Sequence, residues 1–495
     1  MRKVLPIFYS ALLLTAVNLL LRLAGTSFQV WLSSRVGAAG IGLLQLTLTV
    51  GNMAMVAGMA GIRTATMYLT AEELGKRRPG NVTWVLSGAI GYSLLCSGAV
   101  GLAVCLSSPW IAENWIGDGR TADALRLLGA FLPVTCLCGV MSGYFTAAQR
   151  ITTLAAVEVG EQLCSMVTTL ALLYSYAGSD PGNACLCVVL GSAIGSCTTL
   201  LCLMLLRLLE RAPTGPRISI ACRLRETAVP LAIADDLRTG ISTLENLIIP
   251  KRLALYSGIT DPLAAFGMIS GMVFPILMFP ACILYGLAEL LIPELARCAA
   301  AGSKTRIHYL VRRSLRVTVL YGALFGGLLF LTAQPLCEAL YNSADAGRYL
   351  RLFSVLIPML YCDAIVDAMI KGLGQQKASV RYNILTNILD VTFLYLLLPQ
   401  YGIGGYFVSF LVTHLLNFAL SLGRLLRISG LSLPIHVPVT IGAAALTAVL
   451  IAGYVSAPAV RAAVYPILLG CILYLTRVVN RKDLLWLYGL IRNKK

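Results

Sequence analysis

Twelve charged side chains fall inside strongly apolar stretches of this 495-residue sequence. Three are bases, Arg22, Arg63 and Arg238. Nine are acids, Glu158, Glu161, Asp235, Asp236, Glu245, Glu289, Asp363, Asp367 and Asp390. A charge facing lipid at mid-bilayer costs at least about 2.5 kcal/mol, so such groups must mostly face water, a ligand or one another. Spacing sorts them. Asp235, Arg238, Ser242 and Glu245 recur at helical intervals and share one stripe, while Asp363, Asp367 and Lys371 share another. Arginine stays charged and presents a planar donor fork matched to phosphate, so Arg22, Arg63 and Arg238, with Asp235 and Glu245 beside them, form a candidate site for an anionic headgroup. Asp363, Asp367 and Asp390 are candidate carriers of a coupling ion, Na+ or H+. Each has a plainer alternative. Asp235 and Arg238 can lock their helix as a local ion pair, Arg22 can pair with an acid of another span, and Arg63 can snorkel from a helix end. Glu158 and Glu161, two turns from the inner surface, need only snorkelling or water.

Covalent or metal chemistry has no comparable support. The histidines, His308, His414 and His436, are far apart, and the closest cysteine pairs, Cys136 with Cys138 and Cys185 with Cys187, lack zinc-site spacing. No cofactor is expected. The cysteines read as small apolar packing residues, and the sequon at Asn81 falls in a loop assigned to the inner side, where it is a chance match.

The elements that must position these charges are membrane helices. Hydrophobic residues make up 58% of the chain and charged residues 12%, a balance no ordinary soluble domain has. Apolar stretches of roughly 20 residues, enough to cross about 30 Å of hydrocarbon, recur from end to end. The pattern predicts an all-α polytopic protein with fourteen spans, near 5–27, 40–68, 83–107, 124–147, 152–176, 184–206, 227–249, 263–291, 310–333, 349–371, 379–399, 402–423, 433–455 and 460–479. Lys and Arg test the count. With the N-terminus inside, 28 of the 39 fall on inner segments, 8 on outer segments and 3 within spans. One span more or fewer in the first half would destroy that bias. Both termini are therefore expected in the cytoplasm, with the chain in the cytoplasmic membrane. The net charge of +17 gathers on one face, where it suits an anionic leaflet of membrane lipids and requires no nucleic acid.

An internal repeat organises the spans. The stretch "TADALRLLGAFLP" at 121–133 is echoed by "SADAGRYLRLFSVLIP" at 343–358, with Asp123 answering Asp345 and Pro133 answering Pro358. The offset spans an even number of crossings, so the copies have the same orientation, and a parallel repeat about an axis along the membrane normal encloses a central cleft. The expected parts are an N-terminal six-helix half at 1–210, a cytoplasmic linker at 211–226, a C-terminal six-helix half at 227–430, two further spans at 431–480, and an interfacial tail at 481–495. A monomer is expected.

"SSRVGAAGIGLLQL" (33–46), "AGIRTATMYLTAEELGKR" (60–77) and "LENLIIPKRL" (244–253), together with this layout, resemble the stage V sporulation protein B and polysaccharide-exporter branch of the multidrug/oligosaccharidyl-lipid/polysaccharide (MOP) flippase superfamily. The resemblance runs from about residue 5 to 430. It implies a MATE-like fold, no enzymatic activity, and movement of a polyprenyl-pyrophosphate-linked oligosaccharide or peptidoglycan precursor from the inner to the outer leaflet. It also implies a role for the basic residue of an Arg-x-x-Gly context on the first helix, which "RLAG" places on Arg22 and Gly25. Where the related flippases carry an arginine pair near the inner part of the second helix, this chain has Arg63 alone. Two rivals stand beside this reading. Nine buried acids against three arginines would suit a cation-coupled multidrug exporter of the same superfamily. A membrane glycosyltransferase or polymerase would act on the same lipids, but would need larger outer loops than the longest one here, near 108–123.

Overall fold

The computed structural model describes residues 5–76, 78–177, 180–209, 220–432, 434 and 436–478, with residues 5–19, Arg22, Tyr176, Ala177, Ala234 and Ala300 described by their backbone alone. Most of the expected linker, through residue 219, and the interfacial tail lie outside those residues. The fold is all-α. In hydrocarbon the backbone must satisfy its own hydrogen bonds, and a chain of long apolar runs does so by forming helices. Prolines open several of them, where a missing N–H leaves nothing unsatisfied.

The contacts divide the chain into two compact units, Met1–Gly271 and Met272–Lys495. The first holds α1 (Leu5–Met59), α2 (Ile62–Gly75), α3 (Pro79–Ile111), α4 (Ala122–Ala147), α5 (Ile151–Leu172), α6 (Pro181–Leu208), α7 (Ala221–Leu253) and α8 (Pro262–Gly267). At about 1.5 Å per residue, the 55 residues of α1 would far exceed one bilayer crossing. Gly37, with φ 75° and ψ 174°, divides it into two limbs in a conformation open chiefly to glycine. The expected second span, 40–68, is itself broken at Ala60 and Gly61, and Gly61 has φ 70°. Ile62, Leu69, Val85, Phe145 and Leu203 form a buried cluster that also takes in Leu224 and Ala228 of α7. Thus α7, which the repeat assigns to the second copy, packs its first turns on the first unit. Lipid tails are as apolar as leucine, so close approach through small residues replaces the hydrophobic drive. A Cβ on Gly101 of α3 would lie 2.4 Å from the carbonyl oxygen of Gly129 on α4.

The second unit holds α9 (Phe274–Met278), α10 (Ala281–Ala300), α11 (Lys304–Tyr341), α12 (Ala344–Ser354), α13 (Ile357–Gly372), α14 (Gln376–Tyr401), α15 (Ile403–Ser429), α16 (His436–Gly453) and α17 (Pro458–Leu475). Phe274, Phe353, Tyr406 and Phe410 form an aromatic cluster with ring centroids 5.4 to 6.4 Å apart. The last two helices pack on α11 through Ala323, Ile441, Ala444, Ala448 and Tyr465, and the Tyr465 hydroxyl donates to the Ala323 carbonyl at 2.7 Å.

Among the described residues, ten helices are long and apolar enough to cross a membrane, and twelve if each of two bent pairs is one span. The two limbs of α1 and the charge-bearing α7 account for the difference from fourteen, a count consistent with this architecture.

Candidate functional site

The stripe read on the seventh span forms one wall of a cleft. Asp235, Arg238, Thr239 and Ser242 of α7 face Asn52, Val56 and Met59 of α1 and Gly61, Arg63 and Thr64 around the start of α2. The cleft encloses about 400 Å³ and lies wholly within the first unit. Its geometry follows from two local facts. Helical periodicity puts 235, 238, 239 and 242 on one side of α7, and the break at Ala60–Gly61 aims the start of α2, with Arg63 on it, toward that side. Three of the five expected headgroup residues, Arg63, Asp235 and Arg238, therefore line one cleft, Arg63 facing the other two. Arg63, Asp235 and Arg238 are all exposed, and no ion pair joins Asp235 to Arg238 among the described residues. The alternative reading of these two residues, a local ion pair that locks the helix, is not what the geometry shows.

The other two expected residues are placed differently. The side chain of Arg22 lies outside the described residues. Glu245 is half-buried on α7 but does not line the cleft, because seven residues beyond Arg238 the helix has risen roughly 10 Å. The opposite side of α7 borders an apolar groove of about 450 Å³, lined by Leu237, Gly240, Leu244, Met53 and Trp115, with Asp236 and Lys251 also on its lining.

Behind the cleft, Glu158 of α5 lies within electrostatic reach of Arg63. Glu161 accepts hydrogen bonds from Ser196 at 3.3 Å and Thr199 at 3.0 Å, both on α6. Snorkelling does not describe it, since its carboxylate is satisfied by hydroxyls of the neighbouring helix.

In the second unit each candidate ion carrier has its own partners. Asp363 accepts from Asn417 Nδ2 at 3.0 and 3.1 Å, with His414 Nδ1 3.7 Å away. Asp367 pairs with Lys371 at 2.6 Å and accepts from Ser379. Asp390, 6% exposed, accepts from Ser409 at 2.5 Å and Thr413 at 3.2 Å. Neutral donors stabilise a carboxylate without cancelling its charge, whereas Lys371 sets a cation directly against Asp367. Ser409, Thr413 and Asn417 went unread in the sequence, although their spacing of four along α15 forms a polar stripe that periodicity could have found. Among the described residues, no three His, Cys, Asp or Glu side chains gather as a metal site would require.

Comparison with known proteins adds to this geometry. The MatE family model matches residues 14–177 and 254–396. The chain is 21% identical over 469 residues to stage V sporulation protein B of Bacillus subtilis (strain 168), covering 90% of this chain and 88% of that protein. Among solved structures it is similar to the lipid II flippase MurJ in an inward closed conformation, with TM-score 0.70 and 11% identity over 93% of this chain and 98% of that one. It is also similar to a multidrug resistance MATE family transporter of the MOP superfamily in an inward-facing conformation, with TM-score 0.68 and 13% identity over 84% and 100%.

Proposed function

The chain belongs to the MatE family and is a membrane transporter of the MOP superfamily, not an enzyme, and from this we propose that it carries a polyprenyl-pyrophosphate-linked oligosaccharide or peptidoglycan precursor across the cytoplasmic membrane. One observation carries the reading. Arg63 and Arg238 open onto the same water-accessible cleft beside neutral donors from Asn52, Thr64, Thr239 and Ser242. A pyrophosphate is a polyanion with many acceptor oxygens, and two guanidinium forks with surrounding hydroxyls and an amide meet both its charge and its geometry. The apolar tail stays in lipid while the polar head occupies the cleft, and alternating access moves the head between leaflets without a covalent step. Arg22 adds a third base from the first span. Termini facing the cytoplasm and a monomeric state complete the reading, as does cation or proton countermovement through Asp363, Asp367 or Asp390. The sporulation protein and the lipid II flippase among the relatives support the lipid-linked class.

Asp235 favours a second reading. A carboxylate in the same cleft suits a cationic drug, as does the likeness to a multidrug transporter. Native mass spectrometry of the purified protein separates the two. Copurified polyprenyl lipid, lost in Arg238→Ala and Arg63→Ala proteins that remain folded, is the expected result. Equal lipid occupancy in both variants overturns the phosphate role.

A further inference from the structure

Arg223 lies two residues into α7, at the end of the helix away from the cleft's charged stripe. Its guanidinium reaches across to the last turn of α2. Nη2 pairs with Glu72 Oε2 at 2.7 Å and Nη1 with Glu73 Oε1 at 2.9 Å. The two acids are unequal partners. Glu72 is partly exposed and is also paired with Lys76, whereas the Glu73 side chain is only 3% exposed. The second oxygen of Glu73 accepts from Asn81 Nδ2 at 2.8 Å, at the start of α3. Glu73 is thus fixed to its own hairpin by Asn81 and presents its remaining oxygen to α7.

A second contact lies between this clamp and the cleft. Gly61, at φ 70°, meets α7 so closely that a Cβ there would stand 2.4 Å from the Ala228 carbonyl oxygen and 2.9 Å from the Ala232 nitrogen. Going up α7 from Arg223, one passes the ion clamp, then the glycine contact, then the cleft at Asp235. The α2–α7 seam is therefore shut at two levels on one side of the cleft.

We infer that Arg223, held by Glu72 and Glu73, is a latch that closes the α2–α7 seam below the cleft and must release for the cleft to open on that side. The physics suits a latch. When the seam parts, water replaces Arg223 at the Glu73 carboxylate, so desolvation relieved offsets pairing lost, and the two states stay close in free energy. A purely apolar seam would have no such compensation. Arg223 is a positioning residue here, and its role rests on reading the cleft as the transport path.

Hydrogen exchange of the full chain in lipid nanodiscs, with no substrate added, tests the latch. In Arg223→Gln, amides of residues 61–66 and 228–242 should exchange roughly tenfold faster, while those of 122–147 in α4 keep the wild-type rate. Arg223→Lys should recover part of the protection, because it keeps charge and loses the fork. Glu72→Gln, which spares the buried Glu73 pair, should give a smaller rise, as should moving the wild type from about 50 mM to about 1 M salt. If Arg223→Gln does not fold, these last two measurements carry the test. Unchanged exchange across the seam overturns the latch, and so does a rise of equal size in α4, which would mark a general structural role. Since no lipid-linked saccharide enters the experiment, its failure would leave the proposed substrate untouched, and loss of the proposed substrate would leave the latch standing.

Discussion

Ser409 on α15 donates its hydroxyl hydrogen to the Asp390 carboxylate on α14 at 2.5 Å, and Thr413, one turn further on, donates to the same oxygen at 3.2 Å. The carboxylate is buried without a fixed cation among those partners. Asp390→Ala should therefore be costly in two ways, leaving a cavity and taking from the buried Ser409 hydroxyl its carboxylate acceptor, at about 1–3 kcal/mol for a buried group left unpaired, while Thr413 keeps the Ser409 carbonyl at 2.9 Å. Asp390→Asn keeps the shape and one acceptor oxygen and should fold near wild type. Thermal unfolding in detergent checks the pair. If Asp390 carries the coupling ion, the Asn variant should also lose the sodium or pH dependence of transport while staying folded.

A surface pair predicts an acid-side stability change. In the segment between α3 and α4, Arg120 Nη2 contacts Asp118 Oδ2 at 2.6 Å and Nε contacts Oδ1 at 3.0 Å. These hydrogen bonds hold the Asp118 carboxyl below its ordinary 3.8. A carboxyl with a depressed folded pKa adds stability that is fully present above the unfolded value and lost as pH falls through the folded one. Arg120→Ala should melt lower than wild type at pH 6, and the gap should shrink once the pH drops below 3.8. A gap that stays constant through that range would show that the carboxyl's ionisation does not matter.

The stripe of Asp235, Arg238 and Ser242 was legible because helical periodicity belongs to the sequence alone. What stands opposite was not. Thr64 lies beyond the break at Ala60–Gly61, where Gly61 packs tightly against α7, and that Asn52 of α1 faces the same cleft depends on how α1 packs against α7. Glu245 shares the stripe by spacing and misses the cleft by height. Glu161 read as a carboxylate near water, yet it meets Ser196 and Thr199, whose nearness to it depends on how α5 and α6 pack. The polar spacing of Ser409, Thr413 and Asn417 was readable, but each hydroxyl or amide sits singly in an apolar run where only the facing carboxylates give it meaning.

Arg63 and Arg238 should act together on a phosphate-bearing ligand. A hydrogen bond to a charged group is worth about 1.5–3 kcal/mol, so Arg238→Ala should weaken binding of a polyprenyl pyrophosphate roughly 10- to 100-fold, and Arg63→Ala similarly. Lysine at either position should recover only part, since a point charge lacks the bidentate fork. Both side chains are exposed, so unfolding temperatures should barely move. Microscale thermophoresis in detergent, with wild type and the four variants measured together, reads the effect. Arg22→Ala should follow the same pattern if the first span contributes to the same site.

Asp235 offers a test of the sign of the substrate's charge, because it shares a wall with Arg238 in one open cleft. A carboxylate beside an anionic headgroup repels it, and the same carboxylate attracts a cationic drug. Asp235→Asn is nearly isosteric and changes little but that charge. If the cleft takes a pyrophosphate, the variant should bind it as well as wild type or several-fold tighter, and should ignore a lipophilic cation such as ethidium. If the cleft takes cationic drugs, the variant should lose ethidium binding or export while its polyprenyl pyrophosphate affinity stays negligible. Measuring both ligands on the same preparation makes the outcomes exclusive, and tightened cation binding in Asp235→Asn would contradict either use of the carboxylate.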